Sequence, residues 1–163
     1  MSSAYLTPQG NKISALMTAF ANNVVEDALH RMLTPAQWEI VGSYMQPFNL
    51  AQGQPLITEG SLDRTLYFIE AGSVSVHFED QGGKVHLAIL GPGSAVGEGS
   101  FFSQSPRSAT VQAVSACALW ALNPIRFTEL SSRQPAVALA LTMALGALIS
   151  RRMVNQRRRM AIT

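Results

Sequence analysis

Hydrophobic positions along the chain fall into three zones of different period. Between Ile13 and Met45 they recur every three or four residues. Leu16, Phe20, Val24, Val25, Ala28, Leu29 and Met32 make one apolar stripe, the pattern of an amphipathic helix. Thr34-Pro35 then restarts a helix, with Thr34 as N-cap and Pro35 at the first helical position, and Ile40, Val41 and Tyr44 on its inner face. From 47 to 122 the period shortens to two, and Gly53, Gly60, Gly72, Gly82-Gly83 and Gly91-Pro92-Gly93 break the chain into short strands, the organisation of a sandwich or barrel. From 123 the helical period returns. Asn123-Pro124 caps a short helix carrying Phe127 and Leu130, and Gln134-Pro135 opens a long one that runs to the tail. Leu139, Met143, Leu145, Gly146, Ile149, Met153 and Val154 supply its apolar surface. The expected division is an N-terminal helical segment (1–46), a β-barrel (47–122) and C-terminal helices (123–163). Trp38 and Trp120 are expected in the core.

One hairpin can be aligned from its pattern alone. With Gln81-Gly82 at the tip of the turn, Phe78 faces Val85, Val76 faces Leu87 and Val74 faces Ile89, which buries all six. His77 and His86 then face each other on the solvent side. Two imidazoles with no third ligand read as a solvated pair rather than a metal site.

Composition adds limits. Of 163 residues, 47% are hydrophobic and 13% charged, a globular balance for a chain of one domain's length. Cys117 is the only cysteine, so no intrachain disulfide forms and a small buried hydrophobe is expected. The first twelve residues lack an apolar leader segment, and the apolar run 136–149 is too short to span a bilayer, so a soluble cytoplasmic protein is expected. Net charge is +2, but every acid lies at or before Glu129, and Arg133, Arg151, Arg152 and Arg157 to Arg159 follow. Such a tail suits either an anionic partner or a solvated helix end whose cations match the helix dipole. No catalytic triad order, metal signature or Walker motif is present, so no enzyme is expected and no cofactor is implied.

The segment 97–113 carries the chemistry. Gly97 and Glu98 open one helical turn containing Phe101 and Phe102, and Pro106-Arg107 leads into a strand. A helix start offers free N–H groups to an anion, and Arg107 adds a forked, charged donor. Glu98 can accept from a sugar hydroxyl. The pair would grip opposite sides of a ribose phosphate; it would serve equally as a salt bridge closing the loop.

The run Gly97-Glu98 … Pro106-Arg107-Ser108-Ala109-Thr110-Val111 resembles the phosphate-binding cassette of the cyclic-nucleotide-binding domain family, and Gly60, Leu66-Tyr67-Phe68-Ile69, Gly72-Ser73-Val74 and Leu90-Gly91-Pro92-Gly93 resemble that family's barrel landmarks. The resemblance implies an α+β fold, a jelly-roll barrel flanked by helices at both ends. It implies that Arg107 pairs with the cyclic phosphate, that Ser100, Ser108 and Ala109 complete the anion site, and that Glu98 with Gly97 holds the ribose 2′-hydroxyl. Phe101 takes the place of the residue that relays cassette movement. Gly99 and Ser100 depart from the family's apolar residue and alanine; Gly99 weakens the small helix by roughly 0.5–1 kcal/mol relative to alanine. Arg151-Arg152-Met153-Val154-Asn155-Gln156 resembles the dimer helix of the catabolite activator proteins, with Asn155 and Gln156 at the positions that meet the base. A cAMP ligand is implied, with cGMP also open because Ser108 can bond guanine, together with a homodimer through the last helix. Because no helix-turn-helix segment follows, the expected function is a cyclic-nucleotide-sensing module acting through its C-terminal helix. A DNA-associated regulator using the arginine tail and a ligand-free dimerisation domain are the alternatives.

Overall fold

The computed structural model describes residues 13–23, 29 and 33–161, with side chains as far as Gln156. Val24, Val25, Ala28 and Met32 of the expected first stripe lie outside the described residues. Helix α1 (Ile13–Asn22) buries Leu16 and Phe20. Helix α2 (Pro35–Tyr44) begins where the sequence places it: the Thr34 hydroxyl accepts from Gln37 N–H, and the Gln37 side chain accepts from Thr34 N–H. Strands β1 (Gln46–Leu50), β2 (Pro55–Ile57), β3 (Leu66–Ala71), β4 (Val74–Glu79), β5 (Val85–Leu90) and β6 (Ala95–Val96) follow. Then come the short helix α3 (Glu98–Ser103), β7 (Thr110–Ala113), β8 (Cys117–Leu122), α4 (Pro124–Arg133) and the long α5 (Pro135–Ala161). Asn123 caps α4 by accepting from Arg126 N–H at 2.8 Å.

The strands form two antiparallel sheets of four, ordered β1-β8-β3-β6 and β2-β7-β4-β5, which is the expected jelly roll with helices at both ends. The period of two divides the core cleanly. Ile69, Val96 and Leu119 point between the sheets and meet Val74, Val111 and Ala113 from the other side. Their neighbours Leu66, Phe68, Trp120 and Leu122 point out of the first sheet, where α1, α2, α4 and α5 cover them. Phe20 stacks on Trp38 at 4.4 Å, and both meet Phe68 edge-on. Gly93 is required where α1 meets the turn before β6, because a Cβ there would come within 2.6 Å of the Ala19 carbonyl oxygen. Cys117 is buried as expected, and burial pushes its thiol up from the ordinary range.

The β4–β5 hairpin corrects the sequence reading by one residue. Val74 pairs with Leu90, Val76 with Ala88, His77 with Leu87 and Phe78 with His86. The cause is the turn. Asp80 N–H donates to the Lys84 carbonyl, Gly83 takes φ +79°, and residues 81–83 form a three-residue loop with a left-handed glycine. The Asp80 carboxylate ties it by accepting from Gly82 N–H at 2.9 Å and Lys84 N–H at 3.0 Å. One extra loop residue reverses the faces of β5. Val85, Leu87 and Ile89 therefore point outward, 63%, 64% and 56% exposed, while His86 and Ala88 turn in beside Phe78 and Val76. His77 and His86 lie on opposite faces and do not meet.

Helix α5 buries Val137, Ala138, Leu141, Ala144, Leu145 and Leu148 against the other helices and the barrel. Leu139, Met143, Met153 and Val154 stay exposed, so the apolar surface read from the sequence is largely the outer face. The run Pro135–Gln156, with mean hydropathy 1.6, is long and apolar enough to cross a membrane by length and composition, unlike the shorter run expected from the sequence; its buried face belongs to this fold's core.

The register yields a direct test. Leu87→Ser is expected to change unfolding free energy by less than about 0.5 kcal/mol, as at other exposed sites. Ile69→Ala, between the sheets, is expected to cost about 2–5 kcal/mol. Denaturant titration of both variants checks this, and a loss of several kcal/mol in Leu87→Ser would place β5 in the opposite register.

Candidate functional site

The site forms where α3, the strand entry at Arg107 and the loop 58–65 converge. That loop is stitched to the cassette in both directions: Gly60 N–H donates to the Arg107 carbonyl and Arg107 N–H donates to the Ser61 carbonyl, each at 2.8 Å. Glu59 N–H donates to the Thr110 hydroxyl oxygen at 3.1 Å.

Arg107 is only 3% exposed. Its Nη2 donates to the Asp63 carboxylate at 2.7 Å and to the Thr65 carbonyl at 2.7 Å, and its Nη1 donates to the Gly97 carbonyl at 3.0 Å. The Nε–H is buried and has no partner. A guanidinium is costly to bury unless its donors are matched, so an unmatched donor at this position marks a place for an acceptor. Asp63 orients the group. Burial by itself would raise the Asp63 carboxyl, but hydrogen bonds from Arg107 and Thr65 outweigh it and hold the group below its ordinary 3.8.

Gly97 makes the arrangement possible. It takes φ +86° as the N-cap of α3, and a Cβ there would come within 2.7 Å of both Arg107 Nη1 and the Thr65 carbonyl oxygen. Behind it, Glu98 begins the helix. Phe101 N–H is the donor to the Gly97 carbonyl at 3.2 Å, so the N–H groups of Glu98, Gly99 and Ser100 precede the first helical bond. Ser100 is buried and Gly99 is exposed, with open space where its side chain would be. Phe101 packs edge-on against Phe127 of α4 at 5.1 Å, which links the cassette to the C-terminal helices at the position singled out for a relay.

Glu98 and Arg107 do not bond each other, so the pair is not a loop-closing salt bridge. Glu98 accepts instead from Arg152 Nη1 of α5 at 2.5 Å, and Arg152 Nη2 donates to the Ala95 carbonyl at 2.7 Å. Both side chains are mostly shielded. Of the expected site residues, Ser108 is exposed and Ala109 half-buried at the strand entry, while Asn155 and Gln156 sit one turn beyond Arg152 on the same side of α5. Asp63 and Arg152 were missed in the sequence. Asp63 lies 44 residues from Arg107 in a loop with no motif. Arg152 stands inside a quoted motif, but only the folded chain shows that it meets Glu98. Among the described residues no cluster of three His, Cys, Asp or Glu is placed to hold a metal ion.

With this geometry in view, comparison with known proteins is informative. Residues 47–134 match the cyclic nucleotide-binding domain family, and the chain belongs to that family. Its fold and cassette are of the catabolite activator protein type. The chain is 35% identical over 122 residues to the cyclic AMP receptor protein of Thermus thermophilus, covering 74% of this chain and 55% of the relative. It is 37% identical over 78 residues to a cAMP-dependent protein kinase regulatory subunit of Yarrowia lipolytica, covering 48% of this chain and 20% of that protein. The crystal structure of the Thermus thermophilus catabolite activator protein superposes with a TM-score of 0.69 at 32% identity, over 82% of this chain and 62% of that one. The chain thus spans about half or less of the curated relatives it matches.

Two variants test the site's internal energetics. Asp63→Asn should lower the unfolding free energy at neutral pH by an amount between the roughly 1 kcal/mol of an exposed pair and the about 3–5 kcal/mol of a fully buried one, since half of the Asp63 side chain meets solvent. A depressed carboxyl contributes its stability above its unfolded value and loses it as pH falls through the folded one. The difference between variant and parent should therefore shrink once pH drops below 3.8; a gap that stays constant into acid would remove the carboxylate from this role. Gly99→Ala should raise stability by roughly 0.5–1 kcal/mol, read as a higher melting temperature.

Proposed function

We propose that the chain is a non-enzymatic sensing module that binds a cyclic nucleotide, cAMP in preference, and transmits occupancy through α5. One observation carries the reading: a buried arginine with an unmatched Nε–H stands beside a helix start whose first N–H groups precede the first helical bond, and that helix begins with the carboxylate of Glu98. A cyclic phosphate is a single negative charge with two exocyclic oxygens. It suits the Nε–H of Arg107 together with the N–H groups of Ser100 and Ser108. The ribose 2′-hydroxyl suits Glu98.

Glu98 is held by Arg152, so a sugar hydroxyl arriving at that carboxylate shares or displaces the α5 contact. The same event bears on Phe101 and its packing on Phe127. Binding and the position of α5 are thereby coupled, by as much as the ligand's affinity differs between the two arrangements. The names of the receptor and kinase-subunit relatives favour cAMP. Asn155 and Gln156 stand on the side of α5 that Arg152 turns toward the cassette, where amides could meet the base. The exposed row Leu139, Met143 and Met153, spaced at helical intervals, supports a homodimer along α5.

Isothermal titration with cAMP and cGMP tests the reading. The parent protein should bind at least one of them, and Arg107→Ala should lose about two orders of magnitude or more in affinity, as expected when a buried, charge-assisted contact is removed. A parent protein inert to both nucleotides at millimolar concentration would overturn it.

A further inference from the structure

We infer that β5 is an interaction edge: two copies of the chain pair there through their β5 strands, antiparallel and centred on Leu87, into one continuous sheet. The inference is independent of the cyclic-nucleotide reading and of the contact along α5.

Four strands end the two sheets, and three of them are protected. β1 carries Pro47, β2 carries Pro55 and shifts register against β7, and β6 is two residues long. β5 has none of these devices. Val85–Leu90 runs for six residues without proline, acid, lysine or arginine, and it pairs with β4 in unbroken register. Among the described elements, β4 is its one extensive partner.

Three residues of β5 leave both side chain and main chain unpartnered. Asp80 N–H donates to the Lys84 carbonyl at 2.9 Å, so residues 80 and 84 form a hydrogen-bonded pair. The alternation of an antiparallel ladder then makes 78–86, 76–88 and 74–90 the bonded pairs that follow. On the other side of β4, Val114 N–H donates to the Ser73 carbonyl at 2.9 Å, which assigns the main-chain groups of Ser75 and His77 to β7. The N–H and C=O groups of Val85, Leu87 and Ile89 therefore point away from β4, to the free edge. Their side chains are the ones more than half exposed on the outer face.

This row is its own complement. A two-fold axis at Leu87 sets Leu87 against Leu87 of the second copy and Val85 against its Ile89, each pair exchanging both main-chain hydrogen bonds. Between them His86 falls opposite Ala88, and Lys84 falls opposite Leu90, so no charge meets a like charge. A strand of another protein would have to carry the same alternation; a second copy supplies it by symmetry. The three side chains offer on the order of 300 Å² per copy, the scale of a large apolar patch on an ordinary monomer. That is short of the roughly 800 Å² per partner of a standard interface. Main-chain bonds carry much of the association, and the product is a weak, concentration-dependent dimer.

Sedimentation velocity of the full chain, from low micromolar to millimolar concentration, tests the inference. Met143→Lys disables the exposed row of α5 and so isolates the edge contact. This variant should pass from monomer to dimer as concentration rises. Adding Leu87→Lys sets two lysines face to face and should weaken that step by about ten-fold or more. Leu87→Ser, at the same exposed position, should weaken it too without loss of stability. Register is read with a short bis-maleimide, Cys117 being buried. Leu87→Cys brings two thiols opposite each other and should cross-link far more readily than Val85→Cys, whose thiols stand about 13 Å apart along the paired strands. A Met143→Lys variant that stays monomeric at millimolar concentration overturns the inference and leaves the edge to a strand of another protein. Association unchanged by both Leu87 substitutions, or cross-linking of Val85→Cys as ready as that of Leu87→Cys, also overturns it.

Discussion

The buried guanidinium of Arg107 is the constraint on which the rest of the site depends. A permanent cation that is 3% exposed needs acceptors on several sides, and the chain brings them from two separate places. Asp63 and Thr65 come from the loop before β3, and the Gly97 carbonyl comes from the entry to α3. These requirements explain local features that otherwise look unrelated. Gly97 must lack a side chain because the arginine occupies that space. The loop 58–65 must lie against the cassette strand, and its two main-chain hydrogen bonds with Arg107 hold it there. Folding thereby matches three of the guanidinium's five N–H donors, and the buried Nε–H without a partner marks the place for an acceptor.

The second organising contact is between Glu98 and Arg152. It joins residues 54 positions apart and ties the last helix to the first turn of the cassette. Since Arg152 also donates to the Ala95 carbonyl, the helix is attached to the barrel strand β6 as well as to the site. The aromatic contact between Phe101 and Phe127 makes a further connection through α4. The site is thus tied to two helices at once, one through charge and one through packing.

Much of this was legible in the sequence, for identifiable reasons. Caps at Thr34 and Asn123 and the helix starts at Pro35, Pro124 and Pro135 are set by local backbone chemistry, and the structure places them where those residues stand. The cassette was readable because its glycine, acid and arginine keep a fixed spacing. What escaped was set by contacts distant in sequence or by a side chain folding back on its own turn. Asp63 has no neighbour that announces it. The β4–β5 register turned on the Asp80 carboxylate, which bonds two backbone N–H groups and adds one residue to the loop. An alternation of Val, Leu and Ile on both strands fits either register by hydrophobicity alone, so only the turn could decide. The apolar surface read for α5 included Leu145 but not Val137, Leu141 and Leu148, which with Ala138 and Ala144 form its buried face, while Leu139 and Met143 stay outside.

The position of Arg152 along α5 has a mechanical consequence. The helix begins at Pro135, and at 1.5 Å per residue the arginine stands roughly 26 Å along a stiff rod from that junction. A rigid rod of that length behaves as a lever for any tilt taken up at its Pro135 end. A tilt of about 5° there displaces Arg152 by roughly 2 Å, more than the tolerance of a hydrogen bond. The Glu98 contact therefore has little slack: it fixes the angle of a long helix within a few degrees.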